Sequence, residues 1–482
     1  MINLKFKDNS IFIITLVFLF FGVALRSYNI NFEYLWFDEI LSFWIANPNI
    51  PLSENLERHK SIESIPFLYN FLLKQFYGIF GYEINVGRYL SLILNILSII
   101  LITLTSYNIK KNNAYILSLF LLSFNVFLIA YAQEMRSYSL VLFLCSLDLF
   151  FLIYIIKKDE SKDINILIII IFTLIQVLMI LSHPFTLIIF FSTVIFSYLS
   201  LYKLKKKFRE LNYSIFFTSI FTVFYLFIYL KNMEIFPSWI DHPDLSFYTN
   251  FYFSKFFGSR ILGLVHLITL IGLFLFFIKE FKKKFYIMNI FIMIIFFSYF
   301  LPITYGYLFQ PILFPRYIIF VIIPIIILLS FLIFEIKNFK FRNIILILFF
   351  IVTIGNQYTE TNFQQFLKER PHHKPNFGSI LLEINNSNEK SYTFDIPVAE
   401  DKKVPSYLAL ENYFSKLVED KNFEIEYINI NKFIRSNKKK IWTICLQNIV
   451  NNNCVSANKD LNSNIIQEKE ISGVLIKLIN KK

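Results

Sequence analysis

The residues with the most chemistry to offer are Asp38 and Glu39, in the segment Tyr34-Leu35-Trp36-Phe37-Asp38-Glu39-Ile40-Leu41-Ser42. Two adjacent carboxylates follow the first long apolar run, beside aromatic residues of the kind that favour a membrane interface. A carboxylate held at the edge of a bilayer is costly, and the tasks that justify one are taking a proton or holding a cation. Taken alone, an Asp-Glu pair reads more readily as a solvated loop. The other interfacial charges shift that balance. Arg136 lies in Ala130-Tyr131-Ala132-Gln133-Glu134-Met135-Arg136-Ser137-Tyr138, a short polar break between two apolar runs. A guanidinium is always charged and pairs phosphate in a bidentate fork, so an anion clamp competes there with simple snorkelling to the interface. Arg316, in Phe314-Pro315-Arg316-Tyr317, repeats the pattern at the top of another apolar run. Two arginines and a carboxylate pair suit a substrate that brings a phosphate and needs a base.

Further candidates surround these. Arg88 opens the second long apolar run, and His59 and Tyr69 lie in the polar stretch before it. Gln133, Glu134 and Tyr138 flank Arg136. His183, before Pro184, reads either as a substrate contact or, more ordinarily, as a residue that hydrogen-bonds a helix end. His372 and His373 offer metal ligands, but no cysteine or clustered aspartate supports them, and a solvated loop is expected. The metal requirement stays open. There is no phosphate-binding P-loop, dinucleotide-binding glycine motif, zinc-protease helix or serine nucleophile elbow, so nucleotide-driven chemistry has no support.

The elements that must hold these residues are membrane helices. Of 482 residues, 56% are hydrophobic and 17% charged, and mean hydropathy is +0.55. A soluble globule cannot hide that much apolar surface, so lipid is the solvent for most of it. The spacing predicts a polytopic α-helical membrane protein of about eleven spans. They begin with the run from Ile11 to about Leu25, read as an uncleaved anchor. The others lie near 88–107, 114–131, 138–156, 164–182, 184–202, 213–230, 261–278, 285–303, 316–334 and 343–356, with His183-Pro184 the weakest break.

Net charge is +13, but the basic residues sit in short blocks between apolar runs, as topology signals do, and no nucleic-acid partner is expected. With the N-terminus in the cytoplasm, the inner segments carry Lys5, Lys7, Lys110, Lys111 and the blocks around 157–162, 203–209, 279–284 and 337–342, more than the longer outer loops hold. This arrangement places Asp38-Glu39, Gln133–Tyr138 and Arg316 outside. A membrane domain over 1–356, with a first outer loop at about 31–87, precedes an exported segment over 357–482.

In the first loop, Phe71–Phe80 reads as an amphipathic stretch, lying either on the leaflet or on the protein's own bundle, and Gly81 ends it. The exported segment changes character. Ser391–Ile396, Phe423–Ile430, Lys440–Leu446 and Gly473–Ile479 read as strands, and Ile380–Ile384 and Tyr407–Val418 as helices, giving a small α/β domain. Cys445 and Cys454 can pair there if the segment is exported, whereas Cys145 lies in an apolar run. Asn451-Asn452-Asn453 is loop chemistry and compositional bias.

An outer Asp-Glu after the first helix, a Pro-x-Leu-Tyr patch at Pro66–Tyr69, an Arg opening the second helix, the Gln-Glu-x-Arg-x-Tyr step and a late Arg-Tyr together resemble the GT-C glycosyltransferases. The likeness covers roughly residues 10–330 and is nearest the family 39-like enzymes: protein O-mannosyltransferases, lipid A aminoarabinose transferases and their bacterial relatives. It implies a polyprenyl-phosphate sugar donor, transfer to an envelope acceptor on the outer face and, usually, inversion at the anomeric carbon. Carried onto this chain, Asp38 is the general base, and Glu39 orients donor or acceptor or helps hold a divalent cation. Arg136 and Arg316 bind the donor phosphate, with Arg88 behind them. The chain departs from the family where many relatives place His or Lys before a Pro-Pro step, since here Glu63-Ser64-Ile65-Pro66 stands. The high Lys, Asn, Ile and Phe content points to an AT-rich bacterial genome and so to a bacterial cytoplasmic membrane.

Two other readings compete. A polymerase or ligase of lipid-linked polysaccharide would place its essential arginines in a large late outer loop. A lipid or sugar transporter would show inverted repeats or helices broken by Gly and Pro at mid-membrane, and only 11 glycines speak against it.

Overall fold

In lipid, backbone groups find no water, so long apolar runs must close their hydrogen bonds within the segment as helices. The computed structural model describes residues 9–31, 33–158, 164–204, 206–232, 240–281, 284–357, 376–394, 405–428, 430–445, 463–471 and 474–481. Lys5, Lys7, Lys162, Lys205, Lys282, Lys283, Ile396, His372, His373, Leu446, Asn451-Asn452-Asn453, Cys454 and Gly473 lie outside them.

The chain begins with α1 (Asn9–Ser27), followed by the short helices α2 (Phe37–Ile45), α3 (Leu52–Lys60) and α4 (Leu68–Phe80). Next come α5 (Gly87–Ile109), α6 (Ala114–Ser123), α7 (Val126–Ala132), α8 (Tyr138–Lys157), α9 (Ile166–Ile180) and α10 (Leu187–Leu199). After them run α11 (Leu201–Leu204), α12 (Lys206–Asn232), α13 (Leu245–Asn250), α14 (Phe253–Phe256) and α15 (Arg260–Phe281). The helical run closes with α16 (Asn289–Leu308), α17 (Ile322–Glu335) and α18 (Phe339–Gln357).

Among the described residues, eight helical stretches are long and apolar enough to cross a membrane, α6 and α7 form a ninth bent by 59°, and Ile166–Ile180 and Pro184–Leu199 are shorter apolar helices. Each apolar run read from the sequence therefore folds as helix, and the protein is a multi-pass membrane protein. Large apolar side chains such as Phe224, Phe227, Ile268 and Phe276 face outward, where acyl chains are their solvent.

The chain divides into two compact units. The membrane unit comprises Met1–Tyr28, Ser64–Tyr69 and Tyr89–Glu369; the second comprises Asn29–Glu63, Asn70–Arg88 and Arg370–Lys482.

Within the membrane unit, the run expected at 114–131 is helical as α6 and α7, with a bend between them. A break inside lipid frees carbonyls and amides that must find other partners. Arg26, fully buried at the end of α1, donates to the carbonyls of Leu122 (2.9 Å) and Ser123 (3.1 Å), to its own helix at Gly22 (2.9 Å) and to Asn95 Oδ1 (2.8 Å). A cation at the C-terminal end of α6 also suits the helix dipole. Asn125 caps α7 by accepting from Leu128 N (2.9 Å), and Gln357 donates to the Phe124 carbonyl (2.7 Å). At one end of the bundle, Lys110 and Lys284 both pair with Glu335, tying the ends of α5, α15 and α17 to one face.

The second unit carries a five-stranded sheet of order β2-β1-β3-β5-β4, made of β1 (Ser391–Phe394), β2 (Glu426–Tyr427), β3 (Lys440–Cys445), β4 (Ser463–Ile471) and β5 (Val474–Lys481). β1 runs parallel to β2 and β3, while β5 is antiparallel to β3 and β4. Ile428, Phe433, Ile441 and Ile479 form a buried core. Helices Phe377–Asn386 and Pro405–Lys421 lie where apolar spacing predicts them. The strand expected at Phe423–Ile430 is a correction: among the described residues the strand is limited to Glu426–Tyr427, and Ile430–Arg435 turns helical. Cys445 is disulfide-bonded and Cys145 is a free, buried thiol.

Candidate active site

The carboxylate pair opens α2, with Asp38 and Glu39 in its first turn, where negative charge suits the helix dipole. Neighbouring residues on a helix project about 100° apart, so the two face different surroundings. Glu39 is fully buried, and both of its oxygens are held by Arg88: Nε to Oε1 at 2.9 Å and Nη2 to Oε2 at 2.7 Å. Asp38 is half-buried. The same guanidinium donates to the carbonyls of Ile30 (3.0 Å), Glu33 (2.9 Å) and Tyr34 (3.4 Å), so one arginine fixes the backbone leading into the pair.

The C-terminal part of the second unit holds that segment from the other side. Tyr413 is buried, which pushes its phenol up from the usual range and keeps it a neutral hydroxyl able to accept from Leu35 N at 3.1 Å. Tyr82, likewise raised by burial, donates to the Phe43 carbonyl (3.0 Å) and reaches Asn412 Oδ1 (3.2 Å). Gly378 lies against Tyr34 so closely that a Cβ there would meet the ring carbon Cγ at 2.1 Å. The contacts made by Tyr413, Asn412 and Gly378 span hundreds of residues, and no local motif announces them. Tyr413→Phe leaves the Leu35 N–H without its acceptor, and the expected cost is roughly 1–3 kcal/mol of stability. Thermal unfolding in detergent measures it, and an unchanged midpoint would show the contact to be energetically idle.

Elsewhere in the second unit, His59 is buried with Nδ1 3.1 Å from Asn70 Nδ2. Lys74 donates to the carbonyls of Asn47, Pro48 and Ile50 at 2.7–3.2 Å. The amphipathic stretch is helix α4, and Gly81 stops it in a left-handed conformation (φ 96°) that glycine adopts without a steric penalty.

The membrane unit gathers a different set. Gln133 donates both amide hydrogens to the end of α1, at Arg26 O (2.9 Å) and Tyr28 O (3.0 Å). Glu134 and Arg136 are buried in the turn that follows, before Tyr138 starts α8. Arg316 lies in the 3₁₀ segment Pro315–Val321, its guanidinium carbon 5.0 Å from the Phe314 ring, 5.6 Å from Tyr138 and 5.7 Å from Tyr317. Tyr317 stacks against Tyr138 at 6.4 Å and approaches His183 at 5.3 Å. The His183 Nδ1 accepts from Phe185 N (3.2 Å), capping the 3₁₀ turn Pro184–Thr186. An accepting Nδ1 leaves the proton on Nε2 in the neutral ring. Tyr138, His183 and Arg316, far apart in sequence, thus meet in one aromatic-walled cluster. Tyr69 is buried in this unit, its hydroxyl 3.2 Å from Ser91 Oγ. Among the described residues, no three His, Cys, Asp or Glu side chains gather as a metal site.

No protein-family model matches the chain, and no curated protein matches it in sequence. Solved structures do match in shape. ArnT from Cupriavidus metallidurans, in its apo state, superposes with a TM-score of 0.56 at 11% identity, covering 96% of this chain and 97% of that one. The oligosaccharyltransferase of Archaeoglobus fulgidus, in its apo form, gives 0.53 at 11% identity, over 91% of this chain and 70% of that one. The chain shares the fold of these two proteins. The GT-C likeness, expected from a handful of short motifs, extends over nearly the whole length of ArnT.

Proposed function

We propose that the protein is an integral-membrane glycosyltransferase that moves a sugar from a polyprenyl-phosphate donor to an envelope acceptor, a glycan, lipid or protein, on the extracytoplasmic face of a bacterial cytoplasmic membrane. The observation that carries this reading is the Arg88–Glu39 fork, which fixes the Asp38 segment in a chain of GT-C fold. The archaeal oligosaccharyltransferase AglB, which shares the fold at a TM-score of 0.51, has been solved with an inhibitory peptide and a dolichol-phosphate. That lipid phosphate, together with the acceptor peptide tethered in another structure of the Archaeoglobus fulgidus oligosaccharyltransferase, supports the same substrate classes here.

In this reading Asp38 takes the proton of the acceptor hydroxyl as its oxygen attacks the anomeric carbon, and the bond from that carbon to the phosphate oxygen breaks. The sugar, hexosyl or pentosyl, is transferred with inversion. Polyprenyl phosphate leaves with its charge met by Arg136 and Arg316, which need only be aimed at the oxygens where charge grows. Glu39, with both oxygens on Arg88, acts as a positioning residue, and Gln133 holds α1 against the turn that presents Arg136. Tyr138 and His183 shape the surroundings of Arg316. Glu134, His59 and Tyr69 belong to the same scaffolds.

Purified protein in detergent, given a panel of polyprenyl-phosphate sugars and an acceptor extract, is expected to release polyprenyl phosphate. Arg316→Met should lower kcat by roughly 10²-fold or more, the scale of losing one aimed charge-stabilising group, and raise the KM for donor. Unchanged kinetics would remove Arg316 from the reaction, and lipid translocation without any release would overturn the transferase reading.

A further inference from the structure

At the end of the bundle marked by the Lys110–Glu335–Lys284 cluster, α1, α6, α17 and α18 enclose a cleft of about 370 Å³. Its mouth holds Arg342 with Asn113 and Asn343, and its walls are apolar, among them Leu117, Phe120 and Phe350. Arg342 lies over the rings of Phe334 (5.5 Å) and Phe339 (5.3 Å), and its Nε is buried with no hydrogen-bond partner among the described residues. Among those residues Arg342 makes no ion pair; Glu335, the acid seven positions before it, is already shared by Lys110 and Lys284. Lys337 and Lys340, exposed, add to the local positive charge.

From Arg342 to Phe350 is eight residues, about 12 Å along α18 at 1.5 Å per residue. A cation at the mouth and an apolar trough running on from it match a molecule with an anionic head and a hydrocarbon tail. A free anion leaves the trough unused, and a neutral hydrophobe leaves the arginine unmet. We propose that this cleft binds one anionic phospholipid, its phosphate on Arg342 and an acyl chain along Leu117, Phe120 and Phe350. Surplus positive charge at the mouth disfavours a choline head, so selectivity for phosphatidylglycerol over phosphatidylcholine follows. With the basic blocks in the cytoplasm, the site faces the inner leaflet. It is separate from the proposed transfer chemistry and stands whether or not that reading holds.

The test is native mass spectrometry of the full chain, released from bilayers of equal phosphatidylglycerol and phosphatidylcholine. Wild type is expected to carry one phosphatidylglycerol, with a preference of about fivefold, the worth of one arginine at a charged membrane surface. Arg342→Gln should abolish the preference and Arg342→Lys restore it. Leu117→Trp, which fills the trough and keeps the cation, should reduce retention of both lipids. Equal retention of the two lipids by wild type, or an undiminished preference in Arg342→Gln, would overturn the proposal. So would displacement of the lipid by soluble glycerol phosphate at equal concentration, which would make this a plain phosphate site.

Discussion

Asp38→Asn lowers release of polyprenyl phosphate by roughly 10²- to 10⁴-fold, the worth of a positioned base, while the purified protein melts as wild type does. The amide copies the shape of the carboxylate but cannot accept a proton from a hydroxyl at neutral pH. The geometry allows the two effects to separate. Asp38 lies a helical step from Glu39 and is half-buried, so its replacement leaves the Glu39–Arg88 fork intact. The assay compares donor turnover and melting in the same preparation. Near-normal turnover with normal melting would place the base elsewhere.

Arg88→Met is expected to be the most damaging single change to stability. It removes donors from five acceptors: the two oxygens of Glu39 and the carbonyls of Ile30, Glu33 and Tyr34. It also leaves the Glu39 carboxylate buried without its partner, and such a stranded charge costs about 3–5 kcal/mol. Adding Glu39→Gln to the same chain neutralises that charge, so the double variant should be more stable than Arg88→Met alone. Hydrogen exchange over residues 30–43 should rise in the single variant and fall back in the double. A single variant no less stable than the double would mean that the fork is not what braces the Asp38 segment.

Much of the membrane fold could be read from residue type, because apolar runs of spanning length have one solution in lipid. The bend at Phe124-Asn125 could not, since its cause is the reach of Arg26, Asn125 and Gln357 across helices rather than any local glycine or proline. In the second unit, β4 went unread because Ser463–Ile471 is largely polar and sits at the sheet edge. Phe423–Ile430 looked like a strand by its alternation, yet among the described residues only Glu426 and Tyr427 take up the strand ladder. The candidate site shows the same division. Asp38, Glu39, Arg88, Arg136 and Arg316 stood out because charge beside apolar runs is costly. Tyr413, Tyr82 and Gly378 did not, because their partners at Leu35, Asn412 and Tyr34 are ordinary residues hundreds of positions away.

The bend also bears on how the chain is made. Beyond its own helix, the acceptors of Arg26 are Asn95, Leu122 and Ser123, from 69 to 97 residues later in synthesis. When α1 first leaves the ribosome, its guanidinium has none of them and must rest at the bilayer surface, where a long side chain can still reach water. Only after α5 and α6 have entered the membrane does the arginine sink into its four hydrogen bonds. The first helix is therefore provisional at birth, and its final seat is made by segments translated after it.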